Sequence, residues 1–231
     1  ASCLAKNSHQ SYPTDLSFEK NERHNCGASI ITNYFAISAA HCVYKTLIQE
    51  KFHTEYYLFH LISRNINVNR IKLKEAIKRR SYGSVQEQVL ADMEVMCIPL
   101  ITTRYIRKMQ PIPLANKNPP LGAVGIVTGY GLITVDGPVQ AAQLQKLQIS
   151  TVSPDLCQQV YSTNITENMI CAGISGDEGT CFGDSGGPFV VNGALVGLVS
   201  FGPLECEQPR PGVFADVPAM LDFVKEVTAN S

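Results

Sequence analysis

The hexapeptide Gly183-Asp184-Ser185-Gly186-Gly187-Pro188 is the most informative stretch of this chain. Glycines on both sides of a serine let the backbone turn tightly, because glycine adopts conformations that are closed to other residues. A tight turn of this kind aims N–H groups at one point, as an oxyanion hole beside a nucleophile requires. A plain polar, glycine-rich turn is the alternative interpretation. The hexapeptide favours Ser185 as a nucleophile.

The segments around this turn have the pattern of short β-strands. Asn192-Gly193 lies between two apolar runs and predicts a hairpin, because its turn needs positive φ at both central positions. Five runs of strand length are rich in Val, Ile and Phe and bounded by Gly, Asn or Pro: Ala28–Ile31, Phe35–Ser38, Val124–Thr128, Phe189–Val191 and Ala194–Ser200. The chain is therefore predicted to be all-β.

One helix and one connector complete the predicted organisation. Residues 217–231 carry apolar side chains at helical spacing, with Pro218 tolerated in the first turn. The segment from Met109 to Pro120 has four prolines and little periodicity, which favours a connector between two β sub-domains. We expect 1–231 to be one domain with two sub-cores.

Composition and charge limit the classes of function. Hydrophobic residues make up 45% and charged residues 17% of the 231 residues, enough apolar material for a globular core. A net charge of -1 gives no reason to expect binding to nucleic acid or to an anionic membrane. No apolar run approaches the ~18 residues of a membrane span, and the polar start Ala1-Ser2-Cys3-Leu4 is unlike a signal peptide. We expect a processed, soluble product.

The cysteines favour an oxidising compartment. Eight of them lack the paired C-x-x-C spacing of zinc sites, so disulfides are the better interpretation, although about 105 pairings are open to eight cysteines. Asn164-Ile165-Thr166 is a sequon for N-glycosylation, which is consistent with secretion. The sequence therefore predicts a secreted, extracellular protein with Asn164 as a glycosylation candidate.

Two more residues extend the chemistry of Ser185. His41 stands in Ala39-Ala40-His41-Cys42, although a lone histidine is more often structural than catalytic. Asp92 is an acid inside an apolar run, where a buried carboxylate would need a partner, and a surface-facing Asp on an edge strand is the alternative. A histidine, an aspartate and a serine together are the components of a nucleophilic triad.

The order His41, Asp92, Ser185 and its flanking motifs resemble the chymotrypsin/trypsin family of serine proteases over nearly the whole chain. The spacing around Cys157 and Cys171 is similar to mite digestive proteases of the group 3 allergen type, a branch that includes inactivated paralogues. The motifs that carry the wider resemblance are Tyr12-Pro13, Asn25-Cys26-Gly27-Ala28-Ser29, Gly129-Tyr130-Gly131, Asn168-Met169-Ile170-Cys171, Ser200-Phe201-Gly202 and Pro211-Gly212-Val213-Phe214.

The resemblance implies a fold of two packed antiparallel six-stranded β-barrels with a C-terminal helix. The N-terminal barrel would span 13–108, the C-terminal barrel 121–216 and the helix 217–231. It also implies the disulfides Cys26–Cys42, Cys157–Cys171 and Cys181–Cys206, and leaves Cys3 and Cys97 either in an unusual fourth bridge, which we favour, or as free thiols.

By the same resemblance, Ser185 attacks a peptide carbonyl, His41 takes and returns its proton, and Asp92 fixes and stabilises the imidazole. The N–H groups of Gly183 and Ser185 form the oxyanion hole, and neither a metal nor an organic cofactor is needed. The expected partners are protein or peptide substrates and protein inhibitors, and the expected state is a monomer.

The substrate pocket implied by the resemblance has no acid at its base. A pocket without a carboxylate cannot compensate the desolvation of Lys or Arg, so cleavage after large apolar residues is expected, although Asp177 and Glu178 lie nearby in sequence. Thr180, Phe182 and Phe214 are expected to narrow or cover the opening. The pocket set is Gly179, Thr180, Phe182, Ser200, Phe201, Gly202, Gly212 and Phe214.

The chain departs from the family at its start, where members carry Ile-Val-Gly-Gly. The amine of Ala1 would pair with Asp184, but alanine buries less apolar surface than isoleucine, a deficit of about 2 kcal/mol. Glu94 is a second departure, because the family has a small residue two positions after the catalytic aspartate. These departures and the bulky Phe182 support an alternative, a catalytically weak or inactive homologue that binds or shields protein targets.

A basic stretch between Arg64 and Arg80 contains one acid, Glu75. Relatives often bind calcium through acidic residues in this region, so calcium is not expected here. A solvated basic loop is the favoured interpretation, and an exosite for acidic protein surfaces or sulfated polysaccharide is the alternative.

Overall fold

Two groups of antiparallel strands make up this protein, which is described here from a computed structural model. The structure describes residues 15–20, 23–32, 35–42, 58–60, 71–72, 95–99, 110–134, 139–173, 179–203, 206 and 210–229. In the strands at 15–20, 58–60, 71–72 and 95–99, the backbone alone is described.

The first group is a six-stranded sheet in the order β5-β4-β1-β2-β3-β6. Neighbouring strands are antiparallel throughout. Strand β3 is buried along its whole length, as its Phe-Ala-Ile-Ser-Ala sequence favours. The strands are β1 (Asp15–Lys20), β2 (Arg23–Ile30), β3 (Phe35–Ala39), β4 (Leu58–His60), β5 (Ile71–Lys72) and β6 (Val95–Pro99).

The second group closes into a six-stranded barrel in the order β10-β11-β14-β13-β12-β7. Strands β8 and β9 pair as a separate two-stranded sheet. These strands are β7 (Val124–Gly129), β8 (Leu132–Thr134), β9 (Val139–Gln140), β10 (Gln145–Val152), β11 (Met169–Ala172), β12 (Pro188–Val191), β13 (Ala194–Phe201) and β14 (Gly212–Asp216). The predicted all-β, chymotrypsin-like fold is confirmed, as a mostly β structure with short helices.

The hairpin between β12 and β13 turns at Asn192 and Gly193, as predicted. Both residues have positive φ, 51° and 78°, and the flanking Val191 pairs with Ala194. This left-handed turn twists the two strands in the same sense as the barrel. The chain thus passes from the Ser185 turn through β12 and returns along β13.

The helices differ from the prediction in two ways. The C-terminal segment begins as a 3-10 turn, Pro218–Met220, and becomes α-helical only over Leu221–Ala229, here called α2. A second helix, α1 (Pro154–Val160), was not predicted. Its N-cap is Ser153, whose Oγ accepts the N–H of Leu156 at 3.2 Å.

Two apolar clusters form the described core. Inside the barrel, Phe189 packs on Phe214 with ring centroids 4.9 Å apart. Between the sheet and the barrel, Phe35 and Ile37 of β3 meet Leu195 and Leu198 of β13, and Val224 of α2 completes this cluster. The second cluster fixes the sheet, the barrel and the C-terminal helix against each other.

The proline-rich connector touches both strand groups. The N–H of Ile112 donates to O of Ile30 in β2 at 2.8 Å, and the N–H of Leu195 in β13 donates to O of Pro113 at 2.8 Å. Leu114 forms a parallel bridge with Leu195. The side chain of Ile112 is buried in the cluster between sheet and barrel. The connector is thus built into the interface.

Three disulfides occur among the described residues, and they are the three pairs that the resemblance implied. Their Cα–Cα distances are 6.1 Å for Cys26–Cys42, 6.3 Å for Cys157–Cys171 and 5.2 Å for Cys181–Cys206. Cys3 and the side chain of Cys97 lie outside the described residues.

Candidate active site

The Ser185 turn is compact and tied to the barrel. The N–H of Asp184 donates to O of Cys181 at 3.0 Å, and that of Gly187 donates to O of Asp184 at 2.9 Å. Gly186 has a φ of 77°, and a Cβ on it would clash with Oγ of Ser38. Its N–H donates to O of Val199 in β13 at 2.7 Å. A side chain at position 186 would break this turn.

His41 and Ser185 are both attached to the same point of β2. The N–H of Gly27 donates to O of Ser185 at 2.7 Å. The preceding residue, Cys26, forms the disulfide with Cys42, directly after His41. A ring nitrogen of His41 lies within 4.8 Å of the sulfurs of Cys26 and Cys42. The structure therefore brings the predicted base and the nucleophile turn to neighbouring residues of one strand.

Other predicted site residues fall outside the described part of the chain. These are Asp92, Ala1, Glu94, Asp177 and Glu178. Of the basic stretch between residues 64 and 80, the backbone of β5 alone is described. The predictions for these residues remain predictions.

The predicted oxyanion donors sit on either side of Asp184. Gly183 has a φ of 98°, which a residue with a side chain rarely adopts. Among the residues that the structure describes, the N–H groups of Gly183 and Ser185 donate to no protein acceptor, whereas the N–H between them is bonded. Two such donors are what a developing oxyanion needs.

Asp184 is fully buried beneath this turn. Its Oδ1 accepts the N–H of Gly131, and its Oδ2 accepts the N–H of Cys181, both at 2.9 Å. Burial raises the pKa of this carboxyl to about 7, against the lowering effect of the two hydrogen bonds. Within the described residues it contacts no cation. The site could therefore stabilise a positive charge.

Two residues that the sequence did not single out support the turn. Nε2 of His24 lies 2.7 Å from O of Gly183, and Nε2 of Gln140 donates to O of His24 at 2.8 Å. The only local signal was the position of His24 two residues before Cys26. The Gln140 contact joins residues far apart in the chain, so no local pattern could reveal it.

The predicted pocket residues lie in two segments that face each other. Oγ1 of Thr180 stands 3.3 Å from a Cβ placed on Gly212 and 3.8 Å from one placed on Gly202. Gly179, Ser200 and Phe201 are half-buried beside them. Even a methyl group at Gly212 would press on Thr180 and on the ring of Phe214, both 3.3 Å from its Cβ. The glycines therefore leave space that side chains would fill.

The two phenylalanines of the pocket set behave differently. Phe182 is 60% exposed and lies next to Gly183, and its expected role in narrowing the opening stays a prediction. Phe214 is 0% exposed, so the expectation that it narrows or covers the opening is wrong. Its side chain faces the interior of the barrel, where its ring edge lies 3.3 Å from a Cβ on Gly212 and backs the pocket.

One group in the described part of the chain has the spacing of a metal site: Cys26, His41 and Cys42. Because its two sulfurs are joined in a disulfide, it offers no thiolate ligands. Among the described helices, none has the length and hydropathy to cross a bilayer.

The chain is similar to known serine proteases over most of its length. The family model described as Trypsin matches residues 4–224. The chain is 31% identical to a trypsin of the beetle Phaedon cochleariae, over 94% of this chain and 84% of the relative. It is 33% identical to the anionic trypsin of the dog, over 90% of this chain and 82% of the relative. The solved structure of mouse neuropsin, a serine protease, superposes with a TM-score of 0.78 at 27% identity, covering 94% of this chain and 95% of that one.

Proposed function

The chain belongs to the trypsin family of serine proteases, and on that premise we propose that it is an endopeptidase with Ser185 as nucleophile. One observation carries the proposal. The backbone of Ser185 is bonded to Gly27, while the neighbouring residue Cys26 is joined to the residue after His41. A nucleophile and a base held at one strand position are the central requirement of acyl transfer.

In the proposed reaction, Oγ of Ser185 attacks the carbonyl carbon of a peptide bond as His41 accepts the hydroxyl proton. The tetrahedral oxyanion receives hydrogen bonds from the N–H groups of Gly183 and Ser185. His41 then returns the proton to the leaving amine, and the C–N bond breaks. Water releases the acyl group by the same steps in reverse. Asp92 orients the imidazole and stabilises its charged form.

Asp184 has a separate role in the proposal. We assign it to an α-amino group, that of Ala1 where Ala1 ends the mature chain. Support comes from its full burial and from the raised pKa of its carboxyl, because a nearby cation is the simplest way to keep a buried carboxylate ionised. Pairing there would stabilise the segment that holds Gly183.

We assign the pocket at Gly179, Thr180, Gly202 and Gly212 to large apolar side chains. Half-buried glycines and one hydroxyl line it, and the ring of Phe214 stands behind Gly212. No carboxylate of the described residues belongs to this set. A Lys or Arg entering such a pocket would lose hydration without an ion pair.

A second candidate function is binding without turnover. It is favoured by the absence of a cationic partner for Asp184 among the described residues and by the exposed Phe182 beside Gly183. An exposed aromatic ring next to a crevice suits the capture of protein segments. In this reading the protein occupies or shields targets and leaves them intact.

A fluorophosphonate probe separates the two candidates, because it phosphonylates only a serine that its base activates. We expect an adduct at Ser185, lost in Ser185→Ala and strongly reduced in His41→Ala. Ser150→Ala is a matched control that removes a hydroxyl on β10, outside the site. A folded protein that stays unlabelled would end the endopeptidase proposal and favour the binding protein.

We also propose secretion, a monomeric state and N-glycosylation at Asn164. Asn164 is exposed in the loop between α1 and β11. Oε1 of Gln158 accepts the N–H of Ile165 at 2.8 Å, and its Nε2 donates to O of Thr163 at 3.2 Å, so one side chain shapes the loop around the acceptor. The narrower likeness to mite group 3 proteases and the interaction with protein inhibitors remain predictions.

A further inference from the structure

The peptide that follows Gly183 is held from outside the turn. O of Gly183 lies 2.7 Å from Nε2 of His24. A carbonyl oxygen only accepts hydrogen bonds, so Nε2 must carry the proton. Burial lowers the pKa of the His24 ring, against the raising effect of this bond. At neutral pH, His24 is therefore a neutral donor with a fixed tautomer.

His24 is itself held in place by the two-stranded sheet of β8 and β9. Nε2 of Gln140 in β9 donates to O of His24 at 2.8 Å. The ring of His24 also lies against Tyr130, with centroids 5.6 Å apart and planes inclined at 58°. The histidine is thus fixed through both its backbone and its ring.

Space around Gly183 is limited by the same residues. A Cβ on Gly183 would meet Cα of Gly131 at 3.1 Å, Cδ2 of His24 at 3.4 Å and Nε2 of Gln140 at 3.5 Å. Gly183 has a φ of 98°. Because glycine adopts positive and negative φ about equally readily, its own backbone preference does not hold it in this conformation. External contacts must therefore select the orientation of its N–H.

We propose that His24 and Gln140 are positioning residues for the oxyanion hole. His24 fixes the carbonyl of Gly183, which belongs to the peptide after Gly183. The N–H of Gly183 belongs to the preceding peptide, whose carbonyl, that of Phe182, accepts the N–H of Leu132 at 2.9 Å. With that peptide anchored, the His24 bond restrains the rotation about φ and ψ of Gly183 that would carry its N–H away from the oxyanion. Gln140, which is exposed on β9, holds the backbone of His24 so that its Nε2 stays within hydrogen-bond distance of O of Gly183. The inference rests on the proposed function, because an oxyanion forms only if Ser185 attacks.

The first test measures kcat and KM for a peptide amide substrate with His24→Ala, His24→Gln and Gln140→Ala. Loss of an oxyanion donor costs about 100-fold or more in kcat, so a misplaced donor is expected to cost about 10-fold, with KM unchanged. His24→Gln keeps a side-chain N–H donor and should recover part of the loss. Gln148→Ala, an exposed glutamine on β10, is the matched control and should match the parent protein.

A peptide aldehyde adds a readout that a merely structural role would not move. It forms a tetrahedral adduct whose oxygen occupies the oxyanion hole, whereas the corresponding peptide alcohol has no electrophilic carbon and forms no such adduct. His24→Ala should weaken aldehyde binding about 10-fold and leave binding of the alcohol unchanged. Equal effects on both ligands would overturn the inference.

A last measurement needs no turnover and separates failure of this inference from failure of the proposed function. In protein labelled with 15N-glycine, the amide signal of Gly183 should shift or broaden in His24→Ala and Gln140→Ala but not in Gln148→Ala. If the parent protein is inactive and these shifts occur, the proposed function fails and the positioning contact stands. If Gly183 is unaffected, the positioning contact is refuted whether or not the protein is active.

Discussion

Gly27 donates its N–H to the carbonyl oxygen of Ser185 at 2.7 Å. This bond joins the six-stranded sheet to the nucleophile turn of the barrel. A Cβ on Gly27 would lie 2.8 Å from Cα of Gly187 and 3.0 Å from its nitrogen, both backbone atoms that cannot move alone. The sheet and the barrel can therefore approach this closely only because Gly27 has no side chain.

Gly27→Ala should separate β2 from the Ser185 turn. We expect a loss of about 1–3 kcal/mol in the free energy of unfolding, because the added methyl group overpacks backbone atoms, and slower probe labelling of Ser185. The free energy comes from urea unfolding, and the labelling rate from intact mass. Gly122→Ala is the control, since its Cβ would meet no atom within 4 Å and only its φ of 78° is strained. Equal labelling rates for the two variants would contradict this account.

Two disulfides of similar loop length separate stability from positioning. Cys26–Cys42 spans 16 residues and Cys157–Cys171 spans 14, so replacing either pair by alanine should cost roughly 3 kcal/mol. Only the first pair is adjacent to His41. We expect the first double variant to lose labelling at Ser185 at a temperature where both variants remain folded by circular dichroism. Similar labelling in both would show that His41 needs no such anchor.

Where no amine is paired with it, the buried carboxyl of Asp184 predicts a pH-dependent stability. Its pKa rises from 3.8 to about 7 on folding, so the unfolded chain loses this proton at lower pH than the folded protein. The contribution of protonated Asp184 to the free energy of unfolding is fully present below pH ~4. It is lost as pH rises through ~7, by an amount on the order of 4 kcal/mol.

Asp184→Asn isolates this effect from other titrations, including that of His24. Without a paired amine, the parent protein should lose stability relative to Asp184→Asn between pH 4.5 and 8 in urea unfolding. A difference that does not change with pH would mean that the pKa of Asp184 is not raised. A difference that grows in favour of the parent would instead indicate an amine paired with Asp184, as proposed for Ala1.

A carboxylate at the base of the pocket should change its preference. In Gly179→Asp we expect the ratio of kcat/KM for Lys or Arg over Phe or Leu to rise at least about 10-fold, the effect of about 1.4 kcal/mol, because the new charge compensates the desolvation of a cation. A peptide library measures the ratio. Gly193→Asp adds the same charge at an open hairpin position where a Cβ meets no atom within 4 Å. The same rise in that control would exclude the pocket as its cause.

The sequon at Asn164 predicts a modification in a eukaryotic secretory host. The intact mass should exceed the sequence mass by that of an N-linked glycan, and an amidase that cleaves such glycans should remove the excess. Asn164→Gln and Thr166→Ala should both lack it, while Asn168→Gln, which alters a nearby asparagine outside any sequon, should retain it. An unmodified parent secreted by such a host would refute the assignment.

The sequence predicted those features that short segments encode by themselves. Asn192 and Gly193 specify their hairpin through positive φ. The family resemblance supplied the fold and the three disulfide pairs. Helix α1 was missed because its seven residues bury one side chain, Cys157, too few for an apolar period, although Ser153 and Pro154 are typical of a helix start.

The rest depended on which way side chains point and on distant contacts. Phe214 was expected at the pocket opening, but its position on β14 directs the ring into the barrel. The contacts of Gly27 with Ser185 and of His24 with Gly183 join segments that lie far apart in the chain. No local pattern reveals such pairs, because each is fixed by the packing of the sheet against the barrel.

The connector limits how this molecule can move. A hinge between the sheet and the barrel would have to lie in this connector. The connector is instead hydrogen-bonded to Ile30 and Leu195, and its Ile112 side chain is buried. A rigid-body rotation of the sheet relative to the barrel would break these backbone hydrogen bonds and expose apolar surface. We expect that ligands enter through local movements of loops and side chains such as Phe182, while the sheet and the barrel keep one fixed mutual orientation.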